Sequence, residues 1–373
     1  MKVNFFTSKR EYEDKKNEFD SAIKNVIEGG VSTLGAEVKD FEKAVEEYTG
    51  AKHAIGVASG TDALVIASDI LGFKDGKEVI TSPFTFLAST SCIARHKGRP
   101  VFVDIDEETF DIDVNKIEEK ITENTVGILP IHLFCQMANM DKIMDIAKKH
   151  DLRVLEDAAE AFGMRWKGNG DNLRHSGTIG DMGIFSFFPT KTLGGYGDGG
   201  MIVTNDDKLA ELARMYRVHG ASRKYHYDYL GYNSRLDTLQ AAVLGVKLKH
   251  IDNAIEKREH IAKLYMERLS SCKSIEIPKV KGEQKNVYYV FNILAEKRDE
   301  LAAYLKENGI GNSIYYPVPL HLQKCFSYLG YKKGDFPVAE RIAEKILALP
   351  IYPEITEEEV EFVCETINKF YNK

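Results

Sequence analysis

The sequence predicts an α/β protein whose mostly parallel sheet is covered by helices on both faces, followed by a smaller C-terminal α/β domain. Strand-like and helical patterns alternate from His53 to about Leu248, as parallel sheets with crossover helices require. A long charged helical stretch over residues 249–270 follows. The 373 residues are enough for two domains. We therefore expect a large domain over residues 1–250 and a small domain over residues 251–373.

Within the small domain, the apolar patterns predict strands near Lys279 and over residues 287–294. They also predict helices over residues 298–308 and 339–347. At the other end of the chain, a helical pattern covers residues 11–28. We expect this N-terminal helix to pack on the small domain.

A single lysine beside a glycine-rich stretch is the most informative local feature. Lys191 lies in FSFFPTKTLGGYGDGG, after an apolar run that ends at Phe188 and before a strand-like run over residues 201–204. A lysine that forms a Schiff base must reach an aldehyde and lose its proton, and the glycines that follow would let a planar ring approach. A surface lysine beside a flexible turn is the alternative. The apolar flanks favour a cofactor-bearing lysine.

A second segment supplies a possible partner for such a cofactor. A helical pattern over Met140–His150 precedes a short apolar strand, so Asp157 would lie where the strand opens into a loop. Glu156 should face the other way, since neighbouring residues on a strand alternate faces. Pyridoxal phosphate (PLP) needs a carboxylate beside its ring nitrogen, and we assign that role to Asp157. Two solvent-facing loop carboxylates are the open alternative, because strand-end acids are common in α/β folds.

A phosphate-binding turn is predicted in VASGTDAL, residues 57–64, between a strand from His53 and a helical pattern through Leu71. Backbone amides at a helix start favour an anion. Gly60 would allow close approach, and Thr61 would add a hydroxyl donor. An ordinary Ser/Thr helix cap is the alternative. With a lysine and an acid in the same chain, the turn favours PLP as the cofactor.

These three features resemble, in order and spacing, the nucleotide-sugar aminotransferases often labelled DegT/DnrJ, which belong to the fold-type I PLP-dependent transferases. The resemblance covers nearly the whole chain and includes SPFTFLAS (82–89), LPIHLFCQ (129–136), RVHG (217–220), GYNSRLDTLQAAVL (231–244) and IYYPVPLHLQ (314–323). It implies a large domain built on a seven-stranded type of sheet, with catalytic roles for Lys191 and Asp157.

The resemblance also implies the cofactor contacts of other residues. Phe84 would lie against the face of the cofactor ring, with core packing as its alternative and Phe86 as the better core candidate. Ser186 would join Gly60 and Thr61 around the phosphate.

Asn233 matches a residue that reaches the cofactor phosphate of the neighbouring subunit. The resemblance therefore implies a homodimer with shared active sites, because each site would be incomplete in a monomer. A turn residue after Gly231 is the alternative for Asn233.

One position departs from the family pattern. Where relatives commonly carry Gln and His, this chain has Glu160 and Phe162. The Gln of relatives meets the phenolic oxygen of the cofactor ring, so the resemblance places Glu160 among the cofactor-binding residues. A carboxylate there would either repel a phenolate or share a proton with it.

For the substrate, the resemblance implies a nucleotide-linked hexose that lies across the dimer interface. The positions that match the loops lining it are Arg217, His219, Tyr315, Tyr316 and His321. For His321, a loop histidine that caps a nearby carbonyl is an equal alternative. NSRLD, residues 233–237, is more similar to relatives that aminate carbon 3 of a dTDP-linked 6-deoxy keto sugar than to those acting at carbon 4, which remains the alternative.

The implied reaction has two halves on one lysine, with glutamate or glutamine as the amino donor. Some relatives carry histidine at the lysine position and dehydrate sugars instead, and Lys191 argues against that reaction. The glycine run does not form G-x-G-x-x-G before a helix, which excludes a Rossmann reading. A catalytically inactive sugar-nucleotide-binding regulator is the alternative from a different class.

Composition is consistent with an enzyme in the cytoplasm. The net charge of −7 indicates no nucleic-acid partner. The five cysteines, Cys92, Cys135, Cys272, Cys325 and Cys364, are scattered and without C-x-x-C, which is typical of reduced thiols. We identify no metal site, no secretory segment in residues 1–16 and no membrane-spanning run.

Overall fold

The computed structural model describes residues 1–134, 136–280 and 282–372. Within these ranges, the helices α1 to α12 span Lys9–Asp14, Lys16–Gly29, Ala36–Thr49, Gly60–Ile70, Leu87–Arg95, Met140–His150, Asp207–Tyr216, Thr238–Lys249, Ile251–Leu269, Arg298–Glu307, Pro337–Lys345 and Glu357–Tyr371. The strands β1 to β15 span His53–Val57, Glu78–Thr81, Arg99–Phe102, Thr125–Leu129, Arg153–Asp157, Arg165–Trp166, Arg174–His175, Met182–Ser186, Gly200–Thr204, Ala221–Arg223, His226–Tyr227, Ile275–Glu276, Gln284–Lys285, Phe291–Ala295 and Ile346–Leu349.

The main sheet has seven strands in the order β1-β9-β8-β5-β4-β2-β3. Strand β9 is antiparallel to both of its neighbours, and the other ladders are parallel. Large apolar clusters cover both faces, which is why these strands read as continuous apolar runs. The predicted α/β fold with a mostly parallel sheet is confirmed. In such a sheet, ligands bind at the carboxyl ends of the strands.

The C-terminal region has its own sheet, in the order β12-β14-β15, and a separate apolar core that α9, α10 and α12 help to form. Helix α9 begins at Ile251, the residue at which we expected the small domain to start. However, β13 pairs with β6 of the large region, so the chain crosses back after α9. The division at residues 250 and 251 stays a prediction.

Two elements of the small region differ from expectation. The strand expected near Lys279 lies slightly earlier, as β12, and Lys279 itself lies in the loop between β12 and β13. The helix expected over residues 339–347 ends at Lys345, and Ile346–Leu349 forms the buried strand β15. A short apolar run fits a buried strand and a buried helix equally well, so the pattern alone could not separate them.

The expected N-terminal helix is two helices, and its expected packing on the small domain is wrong for α2. Phe19 of α2 is fully buried against Val243 and Val246 of α8, in the large region. Contact with the small region comes from α1, where Arg10 forms an ion pair with Glu359 at a distance of 2.7 Å. The sequence shows an apolar stripe on α2 but not which surface covers it.

Among the described residues, the helices are all too short or too polar to cross a bilayer. Cys92, Cys272, Cys325 and Cys364 carry free thiols. Cys135 lies outside the described residues.

Candidate active site

The predicted cofactor residues meet at one edge of the main sheet. Asp157 ends β5 and Ser186 ends β8, and these strands pair in parallel with Asp157 opposite Ile184. Lys191 follows in the loop after β8, while Gly60 begins α4 beside Ser186. The carboxyl ends of the strands thus gather an acid, a lysine and a helix start.

Lys191 is largely enclosed, with 14% of its side chain exposed. Its Nζ atom lies 3.4 Å from Oε1 of Glu160 and 4.2 Å from the centre of the Tyr289 ring. Burial by itself lowers the pKa of Lys191, but Tyr289, Glu160 and Asp157 raise it by more, so the pKa stands above its ordinary value. The surface-lysine alternative is therefore excluded.

Asp157 is buried and held in one orientation. Its Oδ2 accepts a hydrogen bond of 2.7 Å from the Ser89 hydroxyl, and its Oδ1 accepts one of 3.1 Å from the amide of Ala159. Burial raises the pKa of this carboxyl above its usual range. A buried carboxylate in this state would be stabilised by a cation. A protonated ring nitrogen fits that need, so the site suits PLP.

Glu156 faces the opposite side of β5, as the strand alternation predicts. Its carboxylate accepts hydrogen bonds from Nε2 of His132 and from three amides of the loop 177–180. Burial raises its pKa, but these hydrogen bonds outweigh burial and leave the pKa lowered. Glu156 therefore anchors a loop. Neither carboxylate faces solvent, which excludes that alternative for both.

Glu160 is fixed by three groups. Its Oε1 accepts a hydrogen bond of 3.2 Å from the Tyr316 hydroxyl and lies beside Nζ of Lys191. Its Oε2 accepts one of 3.2 Å from the amide of Phe134. The carboxylate therefore stands between the lysine and the loop after β4. Its contact with the cofactor ring stays a prediction.

The turn before α4 has the form of an anion site. The Ser59 hydroxyl accepts a hydrogen bond from the amide of Asp62, so the helix-cap alternative is correct for Ser59. The amides of Gly60 and Thr61 stand in the first turn, where the helix offers them no acceptor. A Cβ atom on Gly60 would lie only 2.6 Å from the Cβ of Ser186. Gly60 therefore brings Ser186 close to the helix start, where a phosphate is favoured.

The glycines after Lys191 were expected to let a planar ring approach, but the structure gives them a different role. A Cβ on Gly194 would meet the carbonyl oxygen of Pro189 at 2.4 Å, and one on Gly195 or Gly197 would meet the Gln240 amide at 2.7 Å. Protein atoms already occupy the space beside these glycines, so they do not admit a ring. They let the lysine loop fold back tightly on itself and on α8.

The two phenylalanines of SPFTFLAS are reversed relative to expectation. Phe84 is fully buried, whereas 58% of Phe86 is exposed. The Phe84 ring packs against Phe134 and Tyr316. A ring that stacks on a cofactor must offer an uncovered face, so core packing, the alternative, describes Phe84. Phe86, whose ring lies 6.3 Å from that of Tyr316, is the exposed aromatic residue beside the site.

Two of the five substrate candidates are engaged in structural contacts. Arg217 forms an ion pair with Glu42 and donates to the carbonyl of Gly56 at 3.0 Å. His321 is buried, and its Nε2 lies 3.0 Å from Oε1 of Glu340. The Nε2 contact of His321 is with a carboxylate and not a carbonyl, and its role toward the substrate stays a prediction.

The remaining candidates stay available. His219 and Asn233 are exposed near each other, on segments joined by the bridge between residues 218 and 233. Tyr315 is half-buried, with its ring 5.6 Å from the Tyr316 ring. Tyr316 reaches Glu160 directly. The loop that begins at residue 314 therefore adjoins the lysine.

Sequence reasoning missed three residues of the site. Ser89, which orients Asp157, lies in SPFTFLAS, but nothing in that segment marks its hydroxyl. Phe86 was assigned to the core. Tyr289 lies in an apolar run that predicts only a strand, so its contact with Lys191 required the folded chain.

With this geometry established, comparison with known proteins identifies the family. A sequence model described as the DegT/DnrJ/EryC1/StrS aminotransferase family matches residues 13–368. The chain belongs to this family. The predicted family, fold type, reaction class and PLP cofactor are confirmed, and the protein is a PLP-dependent aminotransferase.

Individual relatives span nearly the whole aminotransferase. A "pleiotropic regulatory protein" of Geobacillus stearothermophilus is 46% identical over 100% of this chain and 99% of its own length. A "dTDP-3-amino-3,6-dideoxy-alpha-D-galactopyranose transaminase" of Aneurinibacillus thermoaerophilus is 40% identical over 95% of this chain and 96% of its own. The crystal structure of DesV from S. venezuelae, solved with a ketimine intermediate, is 36% identical and superposes with a TM-score of 0.95, covering 100% of this chain and 99% of that one.

Proposed function

We propose that this aminotransferase transfers an amino group from glutamate or glutamine to carbon 3 of a dTDP-linked keto-6-deoxyhexose, in the biosynthesis of an amino sugar. The observation that carries the proposal is the buried Lys191, with Glu160 in contact and Asp157 close by at the strand ends. The name of the Aneurinibacillus relative supports amination at carbon 3 and a dTDP carrier.

Specific residues would hold PLP. The first turn of α4, with Gly60, Thr61 and Ser186, would hold its phosphate. Asp157 would keep the ring nitrogen protonated, and Ser89 orients that carboxylate. When bound, PLP supplies the electron sink that makes the carbon beside the amino nitrogen acidic.

Lys191 would move the proton at that carbon through its Nζ atom, which requires a neutral amine. Its pKa is raised by Tyr289, Glu160 and Asp157, despite burial. A protonated ring nitrogen beside Asp157 would offset one of those negative charges. The pKa of Lys191 would therefore fall when the cofactor occupies the site, which favours the neutral lysine when it is needed.

The test is an absorbance spectrum of the purified protein with PLP, before and after addition of glutamate or glutamine. The visible band of the lysine-bound cofactor should disappear with the donor and return with one sugar from a panel of dTDP- and UDP-linked 3-keto and 4-keto hexoses. Recovery with a 4-keto sugar alone would move amination to carbon 4. The Lys191→Ala variant, which lacks the amine, should not show the band with PLP alone.

A regulator without catalysis is the second candidate, because the Geobacillus relative carries a regulatory name. Such a protein has no need for a buried lysine and a strand-end acid in one site, and this chain retains both. In the same spectra, a regulator would bind the sugar nucleotide without any change in the cofactor band. That result would favour regulation over transamination.

We also propose a homodimer with shared active sites. Asn233 is exposed, and it follows the β10–β11 hairpin and its flank, which expose several large apolar groups: Tyr225, Tyr227, Tyr229 and Leu230. Exposed apolar groups in one patch are typical of an interaction surface. The proposal is supported by the position of Asn233 beside this patch, and each site would then use one Asn233 from the partner.

Mixed dimers test the shared site. Subunits with Lys191→Ala and subunits with Asn233→Asp should both be inactive alone. A mixture should recover part of the activity, since one site of each mixed dimer would contain an intact Lys191 and an intact Asn233. No recovery after mixing, with dimer exchange verified by size, would contradict the shared site.

We further propose a cytoplasmic location. The described thiols Cys92, Cys272, Cys325 and Cys364 are free, a state that a reducing compartment maintains. Fractionation of the source cells would test it, and enrichment outside the cytoplasmic fraction would contradict it.

A further inference from the structure

The aromatic ring of Tyr289 covers one side of the Lys191 ammonium. Nζ of Lys191 lies 4.2 Å from the centre of this ring, and only 8% of Tyr289 is exposed. A cation over an aromatic face is attracted by the negative face of the ring, and the attraction is stronger when water is excluded. The lysine amine is therefore in contact with both a carboxylate and an aromatic ring.

The orientation of this ring is fixed at its hydroxyl. The Tyr289 oxygen lies 3.3 Å from Oγ1 of Thr190, within hydrogen-bond distance. Thr190 directly precedes Lys191 in the chain, so the lysine loop itself holds the far end of the ring. The contact between ring and ammonium is thus tied to the backbone position of the lysine.

The backbone that carries the ring is fixed from the small region. Arg258 of α9 is fully buried, and its Nη1 atom donates to the carbonyl oxygens of Tyr288, Tyr289 and Ile351. Burial lowers the pKa of Arg258 to about 10. A buried arginine committed to three carbonyls gives the segment that carries Tyr289 little freedom to move away from the lysine.

We propose that Tyr289 is a positioning residue for transamination, whose ring face holds the Lys191 amine at the site whenever the lysine is not bonded to the cofactor. The inference rests on the proposed function, because an aminotransferase releases this lysine from the cofactor in every cycle. The amine must then stay close to the reacting carbon. Glu160 supplies one contact to the amine, at 3.4 Å, and the Tyr289 ring supplies a second one that limits its movement.

The charged and titratable groups that act on Lys191 come from several elements. They are Asp157 and Glu160 from β5 and the loop after it, Tyr289 from the segment before β14, and Tyr315 with Tyr316 from the loop after residue 313. Replacing Tyr289 leaves the others in place. A change in the titration of Lys191 on removal of this ring therefore reports the ring itself.

The experiment measures the titration of Lys191 in the enzyme loaded with pyridoxamine phosphate and in the cofactor-free chain. Trace acetic anhydride labels neutral amines, and mass spectrometry compares the Lys191 peptide with that of the exposed Lys224 as a function of pH. In Tyr289→Leu, loss of the ring should displace the Lys191 curve to lower pH by about one pH unit. Tyr289→Phe keeps the ring and should show a smaller displacement than Tyr289→Leu.

A volume-matched variant keeps the test decisive if Tyr289→Leu fails to fold. Incorporation of 3,4,5-trifluorophenylalanine at position 289 keeps the ring but removes most of its negative face. Its curve should be displaced in the same direction relative to Tyr289→Phe. If the trifluorophenylalanine variant and Tyr289→Phe give the same curve, the proposal is overturned. An equal displacement in Tyr289→Phe and Tyr289→Leu would also overturn it, because the effect would then belong to the hydroxyl.

The control Tyr328→Leu removes a tyrosine that is 60% exposed and should leave the Lys191 curve unchanged. The labelling needs neither donor nor sugar, so its result does not depend on whether the proposed reaction takes place. If wild type shows no transamination but the Lys191 curve of Tyr289→Leu is displaced, only the proposed function is contradicted. If wild type shows transamination but that curve is not displaced, only the role of Tyr289 is contradicted.

Discussion

Lys191 and Glu160 form a buried ion pair, with Nζ of the lysine 3.4 Å from Oε1 of the glutamate. Each side chain is largely enclosed, with 14% of Lys191 and 7% of Glu160 exposed. The same glutamate oxygen accepts a hydrogen bond from Tyr316. The charge state of the lysine therefore depends on a carboxylate that the chain holds rigidly, and altering that carboxylate should alter the pH range of catalysis.

Replacement of Glu160 with glutamine should move the rising limb of the kcat–pH profile to lower pH by about one pH unit. Glutamine keeps the shape of the side chain but loses the negative charge that raises the pKa of Lys191. The amine would then become neutral at lower pH. Steady-state kinetics across the pH range measure this shift.

The matched control is Glu283→Gln, which removes a carboxylate from the exposed ion pair with Lys167. Its profile should overlay that of wild type. A rising limb that moves to higher pH in Glu160→Gln would refute the assigned interaction, because removal of a negative charge cannot raise the pKa of a neighbouring ammonium.

Asp157→Asn should lower kcat by about 100-fold or more, since a neutral amide cannot stabilise the positive charge of the ring nitrogen in a buried site. Ser89→Ala should cost about tenfold, because the carboxylate would remain while losing one oriented hydrogen bond. Single-turnover rates with the amino donor measure both effects. Activity within a few fold of wild type in Asp157→Asn would require another partner for the ring nitrogen.

The fold and the centre of the site could be predicted because local signals agree there. Strand alternation placed Asp157 and Glu156 on opposite faces of β5, and the structure gives them opposite environments. The strand, glycine and helix pattern likewise placed Gly60 at a helix start. In each case, the residues are neighbours in the sequence, so the periodicity of the strand or helix alone determines where their side chains and amides lie.

The remaining assignments depended on long-range packing. Phe84 and Phe86 lie in the same short segment, and only the neighbours Phe134 and Tyr316, far along the chain, determine which one is buried. Arg217 looked available for a substrate, but its partner Glu42 lies on α3, a distant helix. A sequence pattern shows that a side chain needs a partner without showing which partner it finds.

Gly60→Ala should weaken PLP binding by about tenfold or more, the effect of a clash in a packed site. The added methyl group would lie 2.6 Å from the Cβ of Ser186 and 3.1 Å from its Cα, so the end of β8 would have to move. Equilibrium titration of the cofactor-free protein with PLP measures the change. Gly29→Ala is the control, because its methyl group would meet nothing within 4 Å. Equal affinities in the two variants would rule out Gly60 as part of the phosphate turn.

His175 makes two hydrogen bonds that only its neutral form can make together. Its Nε2 accepts from the amide of Gly163 at 2.9 Å, and its Nδ1 donates to the carbonyl of Ser176 at 2.7 Å. Burial lowers the pKa of His175 to about 4. Protonation at Nε2 would place a proton against the amide proton of Gly163 and leave a charge without solvent.

The stability of the protein should therefore fall by about 3 kcal/mol, through this one residue, as the pH drops from about 6.5 to about 4. The unfolded chain takes up the proton near pH 6.5, whereas the folded chain resists it until about pH 4, so the stabilisation is complete above the unfolded pKa and is lost as the pH falls to the folded pKa.

His175→Phe should be less stable than wild type at neutral pH, since the amide of Gly163 loses its acceptor, but the difference should shrink or reverse as the pH falls. Urea unfolding at several pH values measures this, with the exposed His260 replaced by glutamine as the control. A constant difference between His175→Phe and wild type at all pH values would mean that His175 does not titrate with unfolding.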